Sequence, residues 1–265
     1  MKKTVLLTND DGYSAKGISL LYNILKEYYN VIVVAPDSEK SGVGHSFTYH
    51  YPLFYKKIDT KFTEEIYSVS GSPADCVKFA ISFLLPSFPD LIISGLNLGE
   101  NSGISSHYSG TVAAAREGAF WNIRSYAFSV CEGGESFSES FAKMIPTIIS
   151  NISENTSFLN NSIFFNVNFP CCNPEEVKGI KITRQSMAFF DDKYERVAVN
   201  DINGHRFGYK IYGKKKDIEK SEVYDSRALL SKYIAVTPLS FDATASDNIT
   251  EIMNIEKKLT FKGFK

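Results

Sequence analysis

Short apolar runs, each long enough for one buried strand and most ending in a polar or glycine-bearing loop, alternate with helix-like stretches along the first half of this chain. The first is Thr4–Thr8, followed by a stretch at 14–28 whose Ile18, Leu21, Tyr22 and Leu25 recur at helical spacing. Residues 31–34 (Val-Ile-Val-Val) make a second strand, stopped by Pro36. Ser72-Pro73-Ala74-Asp75 opens a helix continuing through Val77, Phe79, Ala80 and Phe83, with the proline suited to its first turn. A third strand at 91–93, a helical stretch at 111–120 behind Ser109-Gly110, and a fourth strand at 126–130 repeat the rhythm. Strands alternating with helices predict an α/β fold: a doubly wound, mostly parallel, Rossmann-like sheet with right-handed crossovers.

The segment 46–70 breaks the rhythm with Tyr49, Tyr51, Phe54, Tyr55, Ile66, Tyr67 and Val69, which fits an inserted β-hairpin. Further on, 163–169 and 180–183 read as strands, 223–232 as a helix and 233–237 as a strand. Residues 196–212 fit a hairpin arm around Asn203-Gly204, a favoured turn dipeptide, and Lys214-Lys215-Lys216 a solvated turn. No repeat or linker divides the chain. The expectation is one domain over 1–265, with core in about 1–135 and the remaining core, a protruding β-arm and a C-terminal segment in 136–265.

At 265 residues and a net charge of −1 the chain can bury a large core, and it shows no electrostatic footprint for nucleic acid or an anionic membrane. Cys76, Cys131, Cys171 and Cys172 form no C-x-x-C pair, which argues against a disulfide framework or a thiolate zinc site. Lys2 and Lys3 precede an apolar run far too short for a signal peptide, and no stretch reaches the length of a membrane span. A cytoplasmic protein is expected.

In a parallel sheet the first three strand ends lie on one side, where open α/β sheets bind ligands. They carry Asn9-Asp10-Asp11-Gly12, then Asp37 leading into Ser41-Gly42 and His45-Ser46, then Ser94-Gly95-Leu96-Asn97. An Asp-Gly turn alone is ordinary, but two adjacent carboxylates repel unless a proton or cation separates them. Three polar loops at one edge favour a site. Asp, Ser and Asn offer oxygen only, which suits Mg²⁺, Mn²⁺ or Ca²⁺. His45, His50, His107 and His205 show no paired ligand spacing. Gly99, Asn101 and Gly103 make a further polar loop, and Ser109-Gly110-Thr111 starts a helix whose free amides attract anions.

These residues resemble the SurE survival-protein family of metal-dependent 5′/3′-nucleotidases. The matching blocks are Thr8-Asn9-Asp10-Asp11-Gly12 with Gly17-Ile18, Val34-Ala35-Pro36-Asp37 with Ser41-Gly42 and His45-Ser46, Gly71-Ser72-Pro73-Ala74-Asp75-Cys76-Val77, Pro89-Asp90 through Asn97, Asn101-Ser102-Gly103 through Thr111-Val112, Thr183-Arg184-Gln185, and Val236-Thr237-Pro238-Leu239. The resemblance implies one divalent cation per subunit, Mg²⁺ or Mn²⁺ with Ca²⁺ an alternative, held by Asp10, Asp11, Ser41 and Asn97. It implies release of phosphate from nucleoside 5′- and 3′-monophosphates, cleavage of short polyphosphate in some members, and homodimers or homotetramers with exchanged arms.

In that scheme Asp10 and Asp11 are catalytic, and Asn9, Gly42, Asn101, Ser109, Gly110 and Thr111 contact the phosphate. His107 or a second water is the candidate proton donor to the leaving oxygen. No stable nucleic-acid or membrane partner is expected. Ser38-Glu39-Lys40, Leu98-Gly99-Glu100 and Arg196-Val197 are less basic than many family equivalents, which bears on nucleotide preference and polyphosphate use. Two other readings compete: a covalent aspartyl-phosphate phosphatase, whose aspartates stand one residue apart rather than adjacent, and a non-enzymatic receiver-like Mg²⁺ module, which needs an aspartate where Asn97 stands.

Overall fold

The computed structural model describes residues 2–59, 65–199, 207–244 and 253. The first half forms β1 (Thr4–Thr8), α1 (Lys16–Leu25), β2 (Asn30–Pro36), β3 (Tyr55–Ile58), β4 (Ile66–Val69), α2 (Pro73–Phe79) and β5 (Leu91–Leu98). Then follow α3 (Ser105–Tyr108), α4 (Gly110–Phe120), β6 (Arg124–Val130), α5 (Ser138–Asn155), β7 (Ile163–Phe169), β8 (Ile180–Ile182), β9 (Phe189–Ala198), β10 (Phe207–Lys216), α6 (Asp225–Leu230) and β11 (Ile234–Ser240).

Among the described residues nine strands make one sheet in the order β3-β4-β2-β1-β5-β6-β7-β11-β8. The run β4-β2-β1-β5-β6-β7 is parallel throughout, and β3 and β11 pair antiparallel with β4 and β7. The inserted hairpin is therefore the sheet's own edge. From β1 the chain moves outward to β2, then returns to add β5 on β1's other side. Such a reversal leaves a crevice at the carboxyl ends of the two central strands.

Alternation along β1 and β5 feeds two cores. Leu7 and Ile93 pack with Ile18, Leu21 and Leu25 of α1 and Phe141, Ile145 and Ile149 of α5. Leu6 and Ile92 pack on the opposite face with Cys76 and Val77 of α2 and Ala114 of α4. Each fully buried leucine or isoleucine contributes about 2 kcal/mol. α4 approaches closely because its inward residues are small: Ala113, Ala114 and Ala115 are fully buried. α2 is started by a capping box, Ser72 Oγ accepting from Asp75 N and the Asp75 carboxylate accepting from Ser72 N, with Pro73 in the first turn. The α-helical geometry ends at Phe79 and widens to a π-helical turn over Ala80–Leu84, short of the single helix expected through Phe83.

β9 and β10 form a separate antiparallel ribbon, paired from Phe207↔Ala198 to Lys216↔Phe189. This is the expected arm, longer at its base than 196–212; its Asn203-Gly204 turn and His205 lie outside the described residues. Lys214, Lys215 and Lys216, expected in a turn, belong to β10. All four cysteines are free. Among the described residues no helix is long and apolar enough to cross a membrane.

Candidate active site

The turn after β1 is locked by Asn9, whose Nδ2 donates to Gly12 O at 3.0 Å and whose Oδ1 accepts from Gly12 N at 3.2 Å. Gly12 sits at φ +98°, a conformation that L side chains rarely adopt. Asn9 is thus fully buried and engaged with the turn itself.

Asp10 turns inward, 5 % exposed, onto the start of α4. Thr111 N donates to its Oδ2 at 3.1 Å, and the Thr111 hydroxyl donates to its Oδ1. The contact exists because residue 110 has no side chain: a Cβ at Gly110 would stand 2.8 Å from Asp10 Cβ. Burial raises the acid pKa of Asp10, and the bonds from Thr111 partly offset this. Each carboxylate oxygen has a second lone pair, so these bonds leave Asp10 able to bind a cation.

Asp11 is half-buried and its acid is pushed up to about 6, by burial first and then by the negative charges of Asp10 and Glu39. Like charges held together in this way match a cation site.

The loop after β2 is tied to both neighbours. Lys40 N donates to Asp10 O at 2.7 Å, and Gly44 N to Tyr108 O at 2.9 Å. Between them Ser41 is exposed, its hydroxyl donating to Glu39 Oε1 at 2.8 Å, and Gly42 turns the chain at φ +72°. On β5, Asn97 Nδ2 donates to Gly99 O at 2.6 Å, which leaves the amide oxygen as its free end. Thr8 and Ser94, register partners on β1 and β5, have buried hydroxyls without a hydrogen-bond partner among the described residues.

The other expected contacts are more committed. Ser109 caps α4, its Oγ accepting from Val112 N at 3.1 Å. Asn101 is bound to the sheet: its N donates to Asn168 Oδ1, its Nδ2 to Ser129 Oγ, and its carbonyl accepts from Asn166 Nδ2. Gln185 Nε2 donates to Gly103 O at 3.1 Å and to His107 Nε2 at 2.9 Å, so that ring nitrogen is an acceptor and carries no proton. The structure thus gathers Asp10, Gly110 and Thr111 into direct contact and hangs the Ser41 loop from Asp10. Asn101 and His107 make no hydrogen bond to that group.

Two buried carboxylates that frame the site escape sequence reasoning. Glu117 on α4, 2 % exposed, accepts from His45 Nε2, Lys78 Nζ and Trp121 Nε1, each at 2.9 Å. Burial raises the Glu117 acid, but these three donors and the Lys78 charge together hold it below the ordinary value. His45 stacks on Phe120 at 5.1 Å, so the Ser41 loop is pinned to α4 a second time. Asp225, fully buried, accepts from Gly103 N, Ser186 N and Ser226 N at 2.9, 3.0 and 2.7 Å. A lone acidic residue in a helical stretch carries no sequence signal of such partners.

Among the described residues no three His, Cys, Asp or Glu side chains group as a metal cluster. The side chains expected to bind a cation are instead two carboxylates, a hydroxyl and an amide, which would make a hard-oxygen set. Fold and site together define a doubly wound α/β protein with an acidic, oxygen-rich crevice over a helix N-terminus. The chain belongs to the SurE family: the model for "Survival protein SurE" matches residues 5–192. It is 38 % identical over 248 residues to the 5'-nucleotidase SurE of Thermosipho africanus, covering 94 % of this chain and 95 % of that protein. The 5'-nucleotidase SurE of Clostridium botulinum strain ATCC 19397 is 37 % identical over 91 % of this chain and 94 % of its own length. The crystal structure of the SurE protein from Aquifex aeolicus superimposes with a TM-score of 0.79 at 38 % identity, covering 96 % of this chain and 99 % of that one.

Proposed function

We propose that this protein is a divalent-metal-dependent phosphatase that converts nucleoside 5′-monophosphates to nucleoside and phosphate. The observation that carries the reading is Asp10, buried at the switch point and bonded through both oxygens to the helix start that would face a phosphate. The names of the relatives support the substrate class. Activity on 3′-monophosphates and short polyphosphate is part of the proposal.

Asp10, Asp11, Ser41 and Asn97 would hold Mg²⁺ or Mn²⁺. The bound cation would supply Lewis acidity for the phosphoryl group and the attacking water. The first-turn amides of α4 are engaged with Asp10 and Ser109, so it is the positive dipole end of the helix that would favour negative charge on the phosphoryl oxygens. Asp11, the less buried carboxylate, is the better placed to take the proton of the attacking water. His107 would return a proton to the leaving oxygen from Nδ1, since its Nε2 accepts from Gln185. We further propose a homodimer or homotetramer with exchanged arms, since the ribbon exposes Tyr194, Phe207, Tyr209 and Tyr212.

The test is a panel of nucleoside 5′- and 3′-monophosphates and short polyphosphates, each with Mg²⁺, Mn²⁺ and Ca²⁺, on the native protein and Asp10→Asn. Phosphate release from 5′-monophosphates, lost in the folded variant, is expected. Near-full turnover by Asp10→Asn would remove the metal assignment, and no release from any nucleotide would remove the enzyme.

A further inference from the structure

Two of the four cysteines meet at the ends of neighbouring strands. Cys131 directly follows β6, and Cys171 comes two residues after β7. Val130 and Phe169 are register partners, and Cys131 N donates to Phe169 O at 3.0 Å. Paired strands lie about 4.8 Å apart and rise about 3.3 Å per residue, so two residues one rise out of step have Cα atoms about 6 Å apart. A disulfide spans about 4.4–6.8 Å between Cα atoms. The chain bends at Cys171, and its sulfur lies against the turn that Cys131 begins: a Cβ at Gly133 would stand 3.0 Å from Cys171 Sγ. One at Gly134 would stand 3.0 Å from Cys131 O and 3.7 Å from Cys171 Cα. The neighbouring Cys172 is a poorer partner for Cys171, because consecutive Cα atoms are only about 3.8 Å apart.

Cys131 and Cys171 line one cavity of about 630 Å³, whose wall also holds Gly99, Glu100 and Lys215. They differ in access: Cys171 is exposed and Cys131 is buried. Cys131 Sγ donates to Glu100 Oε2 at 3.1 Å, and Lys215 donates to the other oxygen of that carboxylate. Burial first, and then the charge of Glu100, push the Cys131 thiol up, so it keeps its proton until a partner sulfur is presented to it. The same bond has a second role. Residues 97–100 are tied to the end of β6 twice, by Gly99 N donating to Val130 O at 2.8 Å and by Cys131 Sγ on Glu100. Gly99 O in turn holds the Asn97 amide.

We propose that Cys131 and Cys171 form a reversible disulfide when the protein meets a peroxide, and that the bond loosens the loop that carries Asn97. The exposed Cys171 thiol reduces the peroxide, becoming a sulfenic acid and releasing water. The Cys131 sulfur then attacks the Cys171 sulfur. The S–S bond forms as the S–O bond breaks, and the leaving hydroxide takes the Cys131 proton through Glu100, which already accepts it. Two thiols and one peroxide give one disulfide and two waters. Glu100 thereby loses its bond from Cys131, and residues 97–100 keep only one of their two ties to β6. This second part rests on the reading of Asn97 as a metal ligand.

The test treats the native protein, Cys131→Ser and Cys171→Ser with hydrogen peroxide, blocks the remaining thiols, and maps the peptides by mass spectrometry without reduction. A Cys131–Cys171 linked peptide from protein of unchanged subunit mass is expected, absent from both variants and removed by dithiothreitol. A Cys171–Cys172 link, a Cys171–Cys171 link between subunits, or Cys171 carried on to sulfinic acid beside a free Cys131 would overturn the disulfide. Calorimetric titration with Mn²⁺ reads the second part. The oxidised protein should bind several-fold more weakly than the reduced, recover with dithiothreitol, and show no such change in peroxide-treated Cys171→Ser. Equal affinity of the linked and reduced forms would overturn the effect on Asn97. If neither form binds Mn²⁺ the metal reading falls, and the linked peptide still decides the disulfide.

Discussion

A methyl group at residue 110 would lie 2.8 Å from Asp10 Cβ and 3.0 Å from Pro73 Cγ, so Gly110→Ala must push Asp10 out of its seat or shift the start of α4. Overpacking of this kind costs about 1–3 kcal/mol. We expect Gly110→Ala to fold with a lowered urea midpoint and to lose far more turnover than stability, read by denaturation and phosphate release on the same sample. Asp11 gives a second residue-scale prediction. Its folded acid stands at about 6 against an ordinary 3.8, so in metal-free protein its contribution to stability is fully present below pH 3.8 and lost as pH rises through about 6. Metal needs the carboxylate, so affinity for Mn²⁺ should fall as pH drops below about 6, with proton release visible as buffer-dependent heats in titration calorimetry. A pH-independent affinity between 5 and 7 would remove Asp11 from the ligand set. The positions of Asp10 and Asp11 after β1 and of Asn97 near the end of β5 were legible in the sequence because each follows a run readable as a buried strand. Glu117 and Asp225 were not, because their partners come from distant elements: His45 and Lys78 for one, Gly103 and Ser186 for the other.

At the scale of elements, α4 links the two loops of the site. Glu117 is acidified by its donors, so its contribution is present above pH 4.5 and disappears as pH falls through the lower folded value. Glu117→Gln, which breaks the carboxylate's pairing with His45 and Lys78, should cost about 2 kcal/mol near neutral pH and much less in strong acid. Urea unfolding across pH reads the difference, and a deficit that is constant from pH 7 to pH 3 would count against a charged Glu117. Elements with one clear period were readable: β1, β2 and β5 as apolar runs, α1 from its spacing. α5 was not, since its eighteen residues include Pro146 and several polar positions, and its apolar face becomes evident only against α1. The ribbon could be inferred from its turn dipeptide but not bounded, because most of β9 and β10 is exposed and lacks a buried face to set an alternation.

For the whole molecule, the order β2-β1-β5 fixes where the crevice falls, and the proposed metal site straddles it. A chelator should therefore abolish hydrolysis while leaving the sheet folded. Restoring metal at a hundredfold excess over its Kd should raise Tm by about 5–10 °C in calorimetry. An unchanged Tm with restored activity would mean the metal enters only with substrate. Replacing most of the β9–β10 ribbon by a short turn should leave the nine-stranded sheet intact in circular dichroism and reduce the assembly size in light scattering; an unchanged size would remove arm exchange. One further consequence follows from α4, which grips Asp10 at Thr111 and His45 through Glu117. Six residues of helix separate the two grips, about 9 Å along the axis. The spacing between the β1 turn and His45 is thus set by a ruler in addition to the direct bond from Lys40 N to Asp10 O. Inserting one residue between Thr111 and Glu117 would lengthen that ruler by about 1.5 Å and swing its far end through more than a quarter turn. Length changes inside α4 should therefore be tolerated far less than equal changes in the loops it joins.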